Sequence, residues 1–360
     1  MSILFAPIEI NGMTVPNRFM RSATNDRLAE VSGEVNDTFI RVYEELARGG
    51  VGLIITGHAY VQWSGKASKN MLGGHTDKMI TGLKRLVDTV HQYDSKIVLQ
   101  ISHAGRQTSS QVIGETPVAP SPVYYPVQDE TPRAFTDEEI ETLIEAYGAT
   151  ACRAVTAGFD GVQIHGAHGY GVCQFISPHT NRREDKWGGS PENRMRFPIE
   201  VLRRMRKEAG EDYPVMIKLN SQDFIEGGLT IEESAPIAAA LSQEGISAIE
   251  ISGGMVGGAH ICPTKIRTEE DEACYRANAA KFREVIDLPL MLVAGLRSFG
   301  LMEELVETGE VDMVSLCRPL IREPDLINQW KQGNLKKADC ISCNGCLKYR
   351  DEPVRCIQLD

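Results

Sequence analysis

Apolar, β-rich runs alternate with amphipathic stretches along most of this chain. At the period-two spacing of strands and the 3.6 spacing of helices, the runs predict strands over 18–24, 51–58, 96–102, 159–166, 214–221, 248–254, 289–295 and 312–318. Most are near-continuous apolar segments, the signature of strands covered on both faces. Residues 8–15 alternate around Asn11-Gly12, which predicts an N-terminal hairpin. Helices fill the intervals. One starts at Thr136, where Glu139 completes a capping box and Ile140, Leu143, Ile144 and Tyr147 share a face. Another starts at Ser190, with Pro191 in its first position. Eight strand–helix units predict an α/β fold, a single (β/α)8 TIM barrel. The alternative is a doubly wound open sheet. The first strand is not followed by Gly-x-Gly-x-x-Gly, which argues against a dinucleotide-binding Rossmann domain.

Two connections, 103–135 and 170–189, are too long to be plain loops. Both follow strands, so in a barrel they lie on the face where active sites are built. The composition is that of a globular protein, 42% hydrophobic and 24% charged. A net charge of −11 disfavours nucleic acid and anionic membrane as general partners, because both surfaces are negative. No segment approaches the ~20 apolar residues of a membrane span, and the N-terminus lacks a secretory pattern. A cytoplasmic location is expected. In that compartment the nine cysteines argue against a disulfide framework.

The chemistry concentrates where the fourth strand runs into a glycine-rich loop, Gly161-Val-Gln-Ile-His165-Gly-Ala-His168-Gly-Tyr170. Two imidazoles and a phenol there offer hydrogen-bond donors to one small acceptor, and the phenol can also give up a proton. The same H-x-x-H could be half of a metal site or a pair of core histidines. Other motifs stand in order around it. Asn17-Arg-Phe-Met-Arg-Ser-Ala-Thr24 lies on the first strand, and Gln100-Ile-Ser-His103-Ala-Gly105-Arg106-Gln107 ends the third. Gln174-Phe-Ile-Ser-Pro178 and a stretch from Asn181 to Arg194 follow the histidine pair, and Val293-Ala-Gly295 and Arg318-Pro-Leu-Ile-Arg-Glu-Pro324 come near the end.

Together these motifs closely resemble the old yellow enzyme family of FMN-dependent oxidoreductases, over about residues 3–335. The resemblance implies a TIM-type barrel with FMN at the strand C-termini and NAD(P)H as reductant. It implies that the Gln100 amide reads the flavin pyrimidine edge, where a lone glutamine could otherwise cap backbone. Lys218 matches a cation beside flavin N1 and O2, which stabilises reduced flavin. The family usually has arginine there, and a strand lysine reaching the barrel rim is the plain alternative. Gly295, Arg318 and the Cys317 backbone fall at the barrel's phosphate corner, although Arg318 could equally make a rim salt bridge. Ala23, Thr24 and Asn25 align with first-strand residues that contact flavin. Asn25 replaces the usual Thr or Cys, and His58 stands where Ala or Gly is usual. His165 and His168 match the pair that binds the substrate's activating oxygen, and Tyr170 matches the proton donor. The implied reaction is ping-pong reduction of an activated alkene, an α,β-unsaturated carbonyl compound, by hydride transfer through flavin N5.

Cys340-x2-Cys343-x2-Cys346-x9-Cys356 sets four thiols in one short segment, which in a cytosolic protein points to metal. Zinc would suit four thiolates, and so would an iron–sulfur cluster. The spacing is similar to that of trimethylamine dehydrogenase and bacterial 2,4-dienoyl-CoA reductase, which carry a 4Fe–4S cluster after the barrel; a relic without metal is the third reading. Only four residues follow Cys356, so the FAD/NAD-binding domains of those reductases are expected to be absent. Residues 1–335 are therefore expected to form the FMN barrel and 336–360 a Cys-rich tail. Cys152, Cys173, Cys262, Cys274 and Cys317 are expected to serve packing. A rival reading is a flavin dehydrogenase that passes electrons through the tail to an external acceptor. A third is a non-catalytic module for phosphate ligands. A homo-oligomer is compatible with each.

Overall fold

Eight parallel strands close into a barrel, in chain order and with a helix after each. They are β1 (Phe19–Arg21), β2 (Leu53–Ile55), β3 (Lys96–Ser102), β4 (Gly161–Gly166), β5 (Val215–Asn220), β6 (Ala248–Ser252), β7 (Leu290–Val293) and β8 (Met313–Leu316). Each pairs with the next, and β8 pairs with β1 to complete the ring. The helices are α1 (Asp37–Arg48), α2 (Met79–Val90), α3 (Asp137–Ala157), α4 (Pro191–Ala209), α5 (Ile231–Gln243), α6 (Arg276–Arg283), α7 (Phe299–Glu307) and α8 (Leu326–Lys331). This computed structural model describes residues 2–256, 263–264, 266–348 and 352–359. Cys262 lies outside them.

The local signals act as expected. Asn11 and Gly12 take positive φ (46° and 82°) and turn the hairpin that pairs Ile8 with Val15. Thr136 and Glu139 close the capping box of α3, and Ile140, Leu143, Ile144 and Tyr147 are buried. Ser190 caps α4, with Pro191 behind it. That helix docks through Phe197, whose ring stacks on Phe175 at 3.9 Å.

Inside the barrel, inward positions recur every second residue, and they change character with height. Val98, Met216, Ala248, Met291 and Met313 form an apolar floor together with Ile10, Met13 and Val15 of the hairpin, which plugs the strands' N-terminal mouth. Burying one such methionine contributes about 1.5–3 kcal/mol. Two residues further along the same strands come Gln100, Lys218, Glu250 and Ser315, all buried. Two further come Ser102, Asn220, Ser252 and Cys317. The polar half of the barrel therefore opens only toward the strand C-termini.

Cys173 is buried as a packing residue would be, but Cys152 is exposed, because it falls on the outer face of α3. Cys317 does not serve packing alone, since it lines the cavity described next.

Candidate active site

The strand C-termini surround a cavity of ≈ 220 Å³. Ala23, Thr24, Asn25, His58, Gln100, His165, His168, Tyr170, Lys218, Gly295, Cys317 and Arg318 all line it. They come from seven of the eight strand ends and meet because parallel strands put every C-terminus on one face.

The ring groups stand close. Tyr170 lies 4.7 Å, centroid to centroid, from both His58 and His165, and His165 lies 5.4 Å from His168. His168 Nε2 is 2.7 Å from Ser252 Oγ. Its backbone N–H donates to Asn220 Oδ1 (3.1 Å), and its carbonyl accepts from Gln107 Nε2 (2.6 Å). These bonds hold His168 at φ 59°, a left-handed conformation that costs about 1–3 kcal/mol outside glycine. His58 Nδ1 is 2.8 Å from Ser102 Oγ.

Burial disfavours the charged form of each imidazole. It lowers His58 and His168 to about 3, aided by Lys218, and takes His165 well below the ordinary histidine value, with His168, His58 and Lys218 adding repulsion. The rings are neutral across the physiological range. Between about pH 6.5 and pH 3 the unfolded chain binds protons at these positions and the folded chain does not, so acid favours unfolding. We expect thermal stability to fall steadily as pH drops from about 6.5, and a triple variant with glutamine at 58, 165 and 168 to lose part of that dependence. Melting curves at several pH values check this, and an unchanged acid slope would refute the assignment.

At the other end of the cavity, Arg318 donates to the Pro263 carbonyl (2.8 Å) and to Asn344 Oδ1 (2.6 Å), so its guanidinium is steadied by the tail. Gly295 takes φ 79°, and a Cβ there would run into the Ile266 side chain. Burial alone would raise the Cys317 thiol, but Arg21, the Thr24 hydroxyl, Arg318 and Lys218 together bring it below the usual value. Thr24 Oγ1 is 3.1 Å from Cys317 Sγ.

Sequence reasoning missed several lining residues. Ser22, Ser252, Ser315, Tyr275, Arg297 and Ser342 all face the cavity. Arg297 follows Gly295 by two, a spacing that could have drawn attention to it. Behind the lining, Glu250 is fully buried against Lys218 at 3.3 Å. A single acidic residue inside the apolar run Ala248–Ser252 was the available signal.

The tail packs on this same face. The Arg297 guanidinium donates to the Cys340 carbonyl (2.5 Å), and Val354 N–H donates to the Asp26 carbonyl (3.0 Å). Cys340, Cys343, Cys346 and Cys356 line one small cavity of ≈ 20 Å³. Arg318 and Ile321 line both cavities and so form the wall between them. Among the described residues, no three His, Cys, Asp or Glu side chains are grouped tightly enough to hold a single metal ion. No helix among them is long and apolar enough to cross a membrane.

The donor set fits FMN. His58 Nε2, His165 Nδ1 and Ser315 Oγ are buried polar atoms without protein partners, all on residues of the cavity wall, and buried polar groups need partners. Lys218 and Arg318 supply positive charge at two separate places on that wall.

Comparison with known proteins agrees with this geometry. The family model described as the NADH:flavin oxidoreductase / NADH oxidase family matches residues 3–337. An NADH oxidase of Thermoanaerobacter brockii is 39% identical over 352 residues, which cover 96% of this chain and 54% of that protein. Among solved structures, a 2-naphthoyl-CoA reductase complex superposes with a TM-score of 0.93 at 30% identity, over 98% of this chain and 56% of that one. The chain thus spans about half the length of both of these proteins. An old yellow enzyme homologue from Zymomonas mobilis superposes with a TM-score of 0.81 at 28% identity, over 93% and 94% of the two chains. The chain belongs to the NADH:flavin oxidoreductase / NADH oxidase family, the old yellow enzyme family of FMN-dependent, NAD(P)H-using oxidoreductases.

Proposed function

We propose that this chain is an ene-reductase barrel that reduces activated C=C bonds of α,β-unsaturated carbonyl compounds with NAD(P)H, in two alternating half-reactions. The observation that carries the reading is the convergence of His165, His168 and Tyr170 on one cavity that Lys218 and Arg318 also line. FMN, when bound, supplies hydride-transfer chemistry at its N5. Gln100 and Lys218 would hold its pyrimidine side, with Ala23, Thr24, Asn25 and His58 around the ring. Gly295, the Cys317 backbone and Arg318 would hold its phosphate.

The residues of the chain do the rest. Negative charge grows on the substrate's carbonyl oxygen as its β-carbon is reduced, and two N–H donors aimed at that oxygen lower the barrier. Neutral imidazoles can serve as donors without repelling Lys218. Ser252 at Nε2 of His168 leaves Nδ1 for the substrate, which requires the Nδ1–H tautomer with Nε2 accepting the serine hydroxyl. Tyr170 holds the proton destined for the α-carbon.

Anaerobic stopped-flow of the purified yellow protein tests this. NAD(P)H should bleach the flavin band, and an activated enone should restore it in a separate phase, with parallel double-reciprocal lines in steady state. A bleached protein that no activated alkene reoxidises would overturn the proposal.

A second reading, electron transfer to an external acceptor through a tail cluster, is favoured by the wall that Arg318 and Ile321 share between the two cavities. Four thiols around one cavity, with no three grouped for a single ion, suit a cluster several ångströms across better than zinc. In this reading residues 336–360 form the cluster-binding tail of the 1–335 barrel. Replacing Cys343 and Cys346 by Ser is expected to remove iron while FMN stays bound at one per chain, because neither thiol is among the residues assigned to the flavin and Asn344, which holds Arg318, is kept. NAD(P)H-driven alkene reduction should survive and transfer to a one-electron dye should fall. Iron and sulfide analysis of anaerobically purified protein decides first: less than about 0.1 iron per chain removes the conduit.

A further inference from the structure

The cavity's two flavin-facing arms meet at one carboxylate. On the amide side, Gln100 Nε2 donates to Gln163 Oε1 (2.7 Å), and Gln163 Nε2 donates to Glu250 Oε2 (3.1 Å). On the cation side, Lys218 Nζ donates to Ser22 Oγ (2.7 Å), and Ser22 Oγ donates to Glu250 Oε1 (2.7 Å). Lys218 Nζ also stands 3.3 Å from Glu250 Oε1. The five side chains come from the ends or interiors of five different strand segments, and none is more than 2% exposed. Register puts them together: Gln100 pairs with Gln163 across β3 and β4, and Lys218 with Glu250 across β5 and β6.

We propose that Glu250, which does not line the cavity, is the positioning residue that sets both the hydrogen-bonding polarity of Gln100 and the effective charge of Lys218. The proposal rests on FMN occupying the cavity. An ionised carboxylate accepts and cannot donate. Gln163 must therefore turn its NH2 to Glu250 and its carbonyl to Gln100. Gln100 must in turn spend an N–H on Gln163, which leaves its carbonyl oxygen as the acceptor for an N–H of the bound ring. One carboxylate thus orients two amides in sequence, each of which would otherwise be indifferent to a flip. On the other arm, the negative charge of Glu250 offsets part of the positive charge of Lys218 in a medium where charges are weakly screened. It fixes how strongly Lys218 favours reduced, anionic flavin over the oxidised form.

The two arms give separable results. With holoenzyme, the FMN midpoint potential is measured anaerobically against reference dyes. With apoprotein reconstituted with FMN, the dissociation constant comes from fluorescence quenching. Glu250→Gln should raise the preference for reduced over oxidised flavin about tenfold or more, a rise of about 30 mV for a two-electron couple. It should also weaken binding of oxidised FMN, since its NH2 would face the ammonium. Glu250→Asp keeps the charge and should keep the wild-type potential, which a merely structural role would not. Gln163→Met removes the amide relay without touching charge. It should weaken both redox forms about tenfold alike and leave the potential in place. Glu250→Gln binding FMN at an unchanged or more negative potential would refute the charge role. Wild-type affinity in Gln163→Met would refute the relay, and this variant decides even if Glu250→Gln does not fold. Failure of the wild type to bind FMN would overturn the cavity's reading itself, and that outcome is distinct from the other two.

Discussion

Tyr170→Phe is expected to slow alkene reduction by roughly 10²-fold or more while reduction of the flavin by NAD(P)H proceeds at nearly the wild-type rate. In the proposed reaction the phenol would separate the two half-reactions, because only the alkene half requires a proton at carbon. Its ring is held 4.7 Å from those of His58 and His165, and phenylalanine keeps that packing while losing the hydroxyl. The variant should therefore fold and bind FMN as the wild type does, and the loss should appear in the oxidative phase of a stopped-flow trace alone. Equal slowing of both phases would show that Tyr170 shapes the cavity and does not supply the proton. A solvent isotope effect on the alkene phase, present in the wild type and altered in the variant, is the second check.

The next largest effect is expected at the histidine pair. His165→Ala and His168→Ala should each weaken binding of a phenolate ligand by about 1.5–3 kcal/mol, the cost of one hydrogen bond from a neutral imidazole to a charged oxygen. Titration through the long-wavelength flavin–ligand band measures it. The two positions should differ in one respect. His168 sits at φ 59° and pairs with Ser252, so alanine there also strains the loop. Asparagine tolerates that conformation and retains an N–H donor, so His168→Asn should recover part of the affinity. His165 lies on β4 in regular strand geometry, where no such difference is expected. Unchanged ligand affinity in both alanine variants would remove the oxyanion role. Because burial keeps both rings neutral, affinity for a non-titrating ligand should be flat from pH 5 to 8.

Much of this architecture was legible along the chain. Strands buried on both faces read as near-continuous apolar runs, so β1 to β8 stand out along the chain. Helix starts are written in short range, as at Thr136 with Glu139 and at Ser190 with Pro191. The residues assigned to the site sit at strand C-termini, and a parallel barrel gathers all such ends on one face. Their meeting in one cavity thus follows from the fold without knowledge of any contact. The faces of individual positions were harder, as Cys152 shows. It lies in a helix rich in small residues, and nothing local says that it points outward.

By itself the sequence determined the alternation of strands and helices and the helix caps, because each depends on neighbours a few residues apart, while the barrel was expected from eight such units and the groups at the rim from family resemblance. Only the tertiary structure decided the partners behind the rim. Glu250 meets Ser22 across 228 positions of chain and Gln163 across 87. Those meetings depend on the stagger between β4, β5 and β6, where Lys218 is level with His165 on one side and with Glu250 on the other. A shift of one residue in that stagger would turn every one of these side chains to the opposite face. The spacing of residues along one strand carries no record of its register against the next. The wall that Arg318 and Ile321 make between the strand-end cavity and the four tail cysteines is of the same kind, since it exists only once the chain has returned across the barrel mouth.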